Sequence, residues 1–291
     1  MTIFVSKICN VMKKIALLAG VLALFLSSCK MNDEVPPQIY FLVGNPDTAI
    51  VGEPYNIPMP PNGVSCDDNF DGKEVEKNLK YTHNIPISSV SGTMIIPKLT
   101  GNYHIYYTLQ DDAGNKTDKT LDVVVYNQAQ KFCTWYRMKR TSQEHINPDF
   151  DIYDNVFSKL IASDSVNNRI IFPKLSNIEN LRVYGNIVHG DTTLLVNIPM
   201  QEVPLVETNI IVNDTDTTYV NDTLLYVIRN TSAGSSYFAD TVDFKIILKY
   251  DINRYKKTTQ GNADYISSDD TYGIYWKNDQ QDQCTETYTK M

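Results

Sequence analysis

Asp67, Asn69 and Asp71 set side-chain oxygens at alternate positions of one short loop, and Gly72 follows where such a loop must turn. Oxygen ligands at that spacing suit a calcium ion. A loop of this type closes on a bidentate Glu at its twelfth position, where this chain has Asn78, which argues against an ion. The four histidines, His83, His104, His145 and His189, include no pair at metal-ligand spacing. No zinc-protease helix motif, nucleophile elbow, phosphate loop or dinucleotide fingerprint occurs. Carboxylates are plentiful, but nothing marks two of them as a glycosidase pair. No catalytic residue and no cofactor are therefore expected, and the chain reads as non-enzymatic.

The aromatic residues offer more. Trp135 and Tyr136 form one group, and Tyr272, Tyr275 and Trp276 another near the C-terminus. Sugar rings have apolar faces that stack on aromatic rings, so an exposed cluster of this kind would bind glycan, whereas a buried one would be core. Three cysteines follow Cys29: Cys66, Cys133 and Cys284. Cys133 and Cys284 lie near the two ends of a candidate domain. They read either as a disulfide closing a long loop, which would contribute about 4–5 kcal/mol, or as two buried free thiols.

The elements that would hold these residues are strands. Thr, Val, Ile and 19 Tyr dominate, with Asn, Asp and Gly breaking short apolar runs, and no apolar pattern at helical period persists beyond two turns. Tyr103, Ile105, Tyr107 and Leu109 alternate with His104, Tyr106 and Thr108, as one buried strand face requires. Asp112 to Asn115 is turn chemistry, and Leu121, Val123 and Val125 alternate again beyond it. From 129 to 291 further strands are predicted over 169–173, 181–188, 193–198, 209–212, 218–229 and 241–250. In the last, Val242, Phe244, Ile246 and Leu248 share one face. The fold class read from these patterns is all-β, with a second domain that is either a β-sandwich or a lipocalin-like barrel.

Residues 38–127 carry a resemblance. Gly63-Val64-Ser65-Cys66-Asp67-Asp68-Asn69-Phe70-Asp71-Gly72, then Gly101 to Lys116 with Tyr103, Tyr107, Asp111, Gly114 and Asn115, then Leu121 to Val125, resemble the bacterial immunoglobulin-like surface-protein domain. The resemblance implies an immunoglobulin-like β-sandwich over 38–127, in which the acidic segment is mostly a structural turn. Cys66 departs from the small residue usual there.

The leading segment is also informative. Lys13-Lys14 precede an apolar run from Ile15 to Leu26, too short to span a membrane and shaped like a secretory signal peptide over 1–28. Leu26-Ser27-Ser28-Cys29 resembles the lipobox of bacterial lipoproteins. That resemblance implies cleavage before Cys29 and acylation of it with fatty-acid chains such as palmitate. Residues 29–37, ending in Pro36-Pro37, read as a lipidated tether. Lys30, Asp33 and Glu34 loosely resemble the signal that sends Bacteroidetes lipoproteins to the outer face of the outer membrane.

Charge agrees with a lipid rather than an electrostatic anchor. The leader carries three Lys and no acid, so its removal takes the formal charge from −8 to −11. Such a chain is poorly matched to nucleic acid or anionic lipid. The expected protein is a lipid-anchored surface component whose partners are the membrane, through its anchor, and either a glycan or an outer-membrane transport protein. The alternative is a structural or adhesive protein with no small ligand.

Overall fold

A computed structural model describes residues 33–142, 153–191, 193–213, 216–231, 234–240, 243–258, 264–266 and 275–291, with backbone alone at 142, 207–222, 258 and 265–282 wherever these fall in strands. The signal peptide, Cys29 and Tyr272 lie outside the described residues. Among those described, the chain is all-β with three short 3-10 helices, Gly72–Asn78, Gln128–Phe132 and Leu175–Asn177. No helix among them is long and apolar enough to cross a membrane.

The earlier strands are β1 (Gln38–Phe41), β2 (Asp47–Ile50), β3 (Tyr55–Asn56), β4 (Val64–Asp67), β5 (Lys80–His83), β6 (Ile87–Ser91), β7 (Met94–Pro97), β8 (Gly101–Gln110) and β9 (Lys116–Tyr126). The later ones are β10 (Trp135–Ser142), β11 (Val156–Lys159), β12 (Ile161–Ala162), β13 (Arg169–Phe172), β14 (Val183–His189), β15 (Leu194–Asn197) and β16 (Gln201–Asn213). They continue with β17 (Asp216–Asn230), β18 (Ser236–Asp240), β19 (Lys245–Thr258), β20 (Tyr265–Ile266) and β21 (Tyr275–Lys290). Packing divides the chain into two units. One takes 33–45, Pro58–Asn84 and His104–Leu121, and the other Pro46–Ile57, Ile85–Tyr103 and everything from Asp122 onward. Residues 38–127 contribute to both.

In the first unit β1 pairs antiparallel with β4, and β5 with β8. The predicted alternation holds: Ile105, Tyr107 and Leu109 are buried while Tyr106 is exposed. Ile39, Val64, Cys66 and Val75 of the same unit are buried as well, and the Tyr107 hydroxyl donates to the Pro58 carbonyl at 2.7 Å. Pro37 and Asp33 belong to this unit, with the Thr117 hydroxyl donating to the Pro37 carbonyl.

The second unit contains a small β3-β7-β6 sheet, a parallel β2-β9 pair and one large twelve-stranded sheet. The main path of that sheet runs β11-β10-β21-β19-β18-β15-β14-β13-β12, with the β16-β17 hairpin joined to β19 and β20 paired to β21. Its two end strands, β11 and β12, are separated in the chain by Leu160 alone. A sheet whose first and last strands are covalent neighbours must curl until its edges meet, which makes this one nearly a closed barrel. The strand order is not the sequential meander of a lipocalin. Its core is filled by Tyr136, Met138, Phe172, Ile246, Leu248, Tyr250 and Tyr288 among others. Phe172 and Tyr288 meet edge to face at 5.5 Å, one contact of a core packed with described side chains.

Most predicted strands of this region are present, and β19 is longer than expected. The element that composition concealed is β21. Its sequence from Lys277 to Gln283 is polar throughout, yet β19 and β10 hydrogen-bond to its two edges.

Candidate functional site

The pleat and the turn beyond it decide how the acidic loop is used. Along β4 Cys66 points inward and Asp67 outward, because successive strand side chains alternate faces, and in the turn that follows Asp68 is buried and Asn69 exposed. Asp71 accepts the Asp112 backbone N–H at 3.0 Å through Oδ2, and Gly72 takes the left-handed φ of +58° that lets the chain turn into its 3-10 helix. The inward carboxylate is Asp68, between the predicted residues. Its Oδ1 accepts the backbone N–H groups of Phe70 and Asp71 at 2.8 and 2.9 Å. Its ligand oxygen lies within 4.8 Å of one from Asp33 and one from Asp111.

The predicted aromatics do not form one platform. Trp135 opens β10 and is 53% exposed, whereas Tyr136 is buried, donating to the Phe132 carbonyl at 2.9 Å. Burial pushes the Tyr136 phenol well above its ordinary pKa. Tyr275 and Trp276 begin β21, whose other end pairs with the start of β10. Fourteen residues of strand separate Trp276 from Lys290, roughly 45 Å, so Tyr275 and Trp276 sit at the opposite end of a long ribbon from Trp135 and Tyr136. Register supplies a different neighbour. Arg137 lies opposite Phe157 on β11, which makes Phe157 diagonal to Trp135 on the outer face. Phe157 is 46% exposed, and diagonal pairs of this kind are within reach of aromatic rings. Only Trp135 of this pair was marked by composition, since a lone Phe in 156–159 carries no signal.

Cys133 and Cys284 are both free thiols, so the disulfide alternative is not what the fold adopts. Each sulfur has a different partner. Cys133 Sγ donates to the Ala129 carbonyl at 3.4 Å, at the end of a 3-10 helix. Cys284 Sγ accepts from Arg140 Nη2 at 2.7 Å. Burial raises the Cys133 thiol to about 12 and the Cys66 thiol to about 11, which keeps both protonated and unreactive at neutral pH.

The second unit holds a polar knot that residue spacing did not reveal. Arg140 on β10 lies opposite Glu286 on β21, and both are buried. Glu286 Oε1 accepts from the hydroxyls of Tyr153 and Tyr250 at 2.6 and 2.5 Å and from the Ser176 backbone N–H at 2.8 Å. Its Oε2 accepts from Tyr288 at 2.7 Å. Burial and then the Glu286 charge push all three tyrosines well above the ordinary phenol value. Burial by itself would lower the Arg140 guanidinium, but the neighbouring Cys284, Tyr250 and Glu286 outweigh it and raise it. The carboxylate, the three phenols and the guanidinium thus form one buried polar network between distant strands.

No protein-family model and no curated protein matches the chain. Among solved structures, a lipoprotein of Bacteroides thetaiotaomicron is similar at 8% identity and a TM-score of 0.23, covering 88% of this chain and 100% of that one. A protein of unknown function from Bacteroides ovatus is similar at 13% identity and a TM-score of 0.22, covering 87% and 95%. At such scores the likeness carries no argument, and the functional reading rests on the residues.

Proposed function

We propose that this chain is a non-enzymatic, lipid-anchored surface protein of a bacterial outer membrane that binds glycan as an accessory to polysaccharide uptake. The anchor reading is supported by Leu26-Ser27-Ser28-Cys29 behind a basic and apolar leader. Several acyl chains on one Cys hold a protein firmly, since each buried methylene contributes about 0.8 kcal/mol. The observation that carries the binding reading is the exposed diagonal pair Trp135 and Phe157 on the outer face of β10 and β11. Two solvated rings on a rigid sheet offer the flat apolar surface that a sugar face stacks on. An outer-membrane transport protein is the natural receiver of sugar held there.

A second reading is favoured by the packed core of the large sheet: a structural or adhesive surface protein with no small ligand. The Cys29→Ser chain separates these readings. Its loss from the detergent phase on partitioning checks the anchor, and unchanged membrane association would overturn it. The same soluble chain on a glycan array should bind a defined set of sugars, and Trp135→Ala should weaken that binding by about 1–3 kcal/mol, the worth of a stacked aromatic. An array with no binding supports the structural reading instead.

A further inference from the structure

We propose that Asp33, Asp68 and Asp111 form a calcium site that fastens the segment before β1 to the turns after β4 and β8. The three come from separate stretches, the segment before β1, the turn after β4 and the turn after β8, and each offers an oxygen within 4.8 Å of the other two. Asp68 and Asp111 are only 9% and 5% exposed, and Asp33 is half-buried. Three carboxylates this close repel one another. Among the described residues no Lys or Arg forms an ion pair with any of them.

The hydrogen bonds around the cluster hold the carboxylates without neutralising them. Asp111 Oδ1 accepts the Asn115 backbone N–H at 2.7 Å, and Oδ2 accepts Asn115 Nδ2 at 2.8 Å. The same Nδ2 donates to the Asp33 backbone carbonyl at 2.9 Å. Asp33 Oδ1 accepts the Val35 N–H at 3.1 Å, and Asp68 Oδ1 takes the two backbone donors described above. What is left is telling: Asp33 Oδ2 and Asp68 Oδ2 are both shielded from water and have no hydrogen-bond partner. An anionic oxygen that is buried and bare is costly unless a cation meets it.

The donor chemistry selects the ion. All three side chains are carboxylates, with no His or Cys in the set, so a hard cation is favoured over zinc or copper. Two oxygens bound to one calcium ion at about 2.4 Å can stand no more than about 4.8 Å apart, a limit that all three carboxylates meet. Magnesium gives up its waters reluctantly and is usually held by one or two carboxylates, whereas calcium accepts a set of several. Bound calcium would tie Asp33 to turns 35 and 78 positions further along the chain, and this holds whether or not Cys29 carries lipid.

The test uses the full-length chain in detergent, stripped with chelator and titrated with calcium chloride. One calcium should bind with a dissociation constant of about 10⁻⁴–10⁻³ M, as in exported calcium modules, and raise the melting temperature. Asp68→Asn should weaken binding at least tenfold while melting no lower than the native chain in chelator, because one repelling charge is gone. Asp33→Asn, at a half-exposed position, repeats the test if Asp68→Asn fails to fold, and Asp67→Asn in the same loop should leave calcium binding unchanged. Failure of the stripped chain to bind at millimolar calcium would overturn the site. So would equal calcium responses in Asp67→Asn and in whichever of the Asp68→Asn and Asp33→Asn chains folds.

Discussion

Glu286 in the second unit and Asp68 in the first are both buried carboxylates, yet their surroundings are built in opposite ways. Glu286 faces Arg140 across a strand pair and has each oxygen occupied by donors from Tyr153, Tyr250, Tyr288 and Ser176. Asp68 sits with two other acids, and one of its oxygens has no donor at all. The first arrangement closes its charge inside the chain. The second leaves charge that something outside the chain must balance. A buried ionic group is therefore evidence of a binding site only when its partners within the protein run out.

The contrast can be broken most forcefully at Glu286. Glu286→Leu would strand four donors and leave the Arg140 guanidinium without its opposing carboxylate, and a loss of about 3–5 kcal/mol is expected by denaturant unfolding. Adding Arg140→Met should recover part of that loss, because the two residues act as a pair. A Glu286→Leu chain as stable as the native one would mean the knot does not hold the sheet. None of this should respond to calcium.

Alkaline pH probes the tyrosines of this knot, together with two buried thiols outside it, more gently. Tyr153, Tyr250 and Tyr288 have folded pKa values raised above the ordinary 10, and Cys133 and Cys66 are raised from 9 to about 12 and about 11. A group raised on folding gives its full stability below its unfolded pKa and loses it as pH climbs towards the folded one. The melting temperature should hold from pH 7 to about 9 and fall progressively above that. A flat profile to pH 11 would contradict the burial of these groups.

The smallest effect is expected at the surface of β10. Trp135→Ala should change stability by no more than about 0.5 kcal/mol, whereas Tyr136→Ala, one residue on, should cost about 3–5 kcal/mol for a large buried aromatic. Comparable losses in both would mean that Trp135 is also core, which would remove the exposed face on which glycan binding depends.

Much of the architecture was legible in the chain before any fold was known. Period-two alternation in 103–109, in 121–125 and in Ile246 and Leu248 places the buried faces of β8, β9 and β19, because the pleat makes side-chain direction a local property. The leader-like run and the lipobox-like tetrapeptide are local patterns too, read from 15–29 alone. β21 was not legible: its polar run has no apolar face to declare it, and only the two strands that flank it make it a strand. Nor was the site. The sequence points to Asp67, Asn69 and Asp71 because spacing is all it offers, while the turn after β4 buries Asp68 instead. Asp33 meets the Asn115 side chain across 82 positions and Arg140 meets Cys284 across 144. Residue types and strand faces follow from neighbours in sequence. Which charges meet, and which are left unmet, is set by register between distant strands, and that exists only once the sheets have formed.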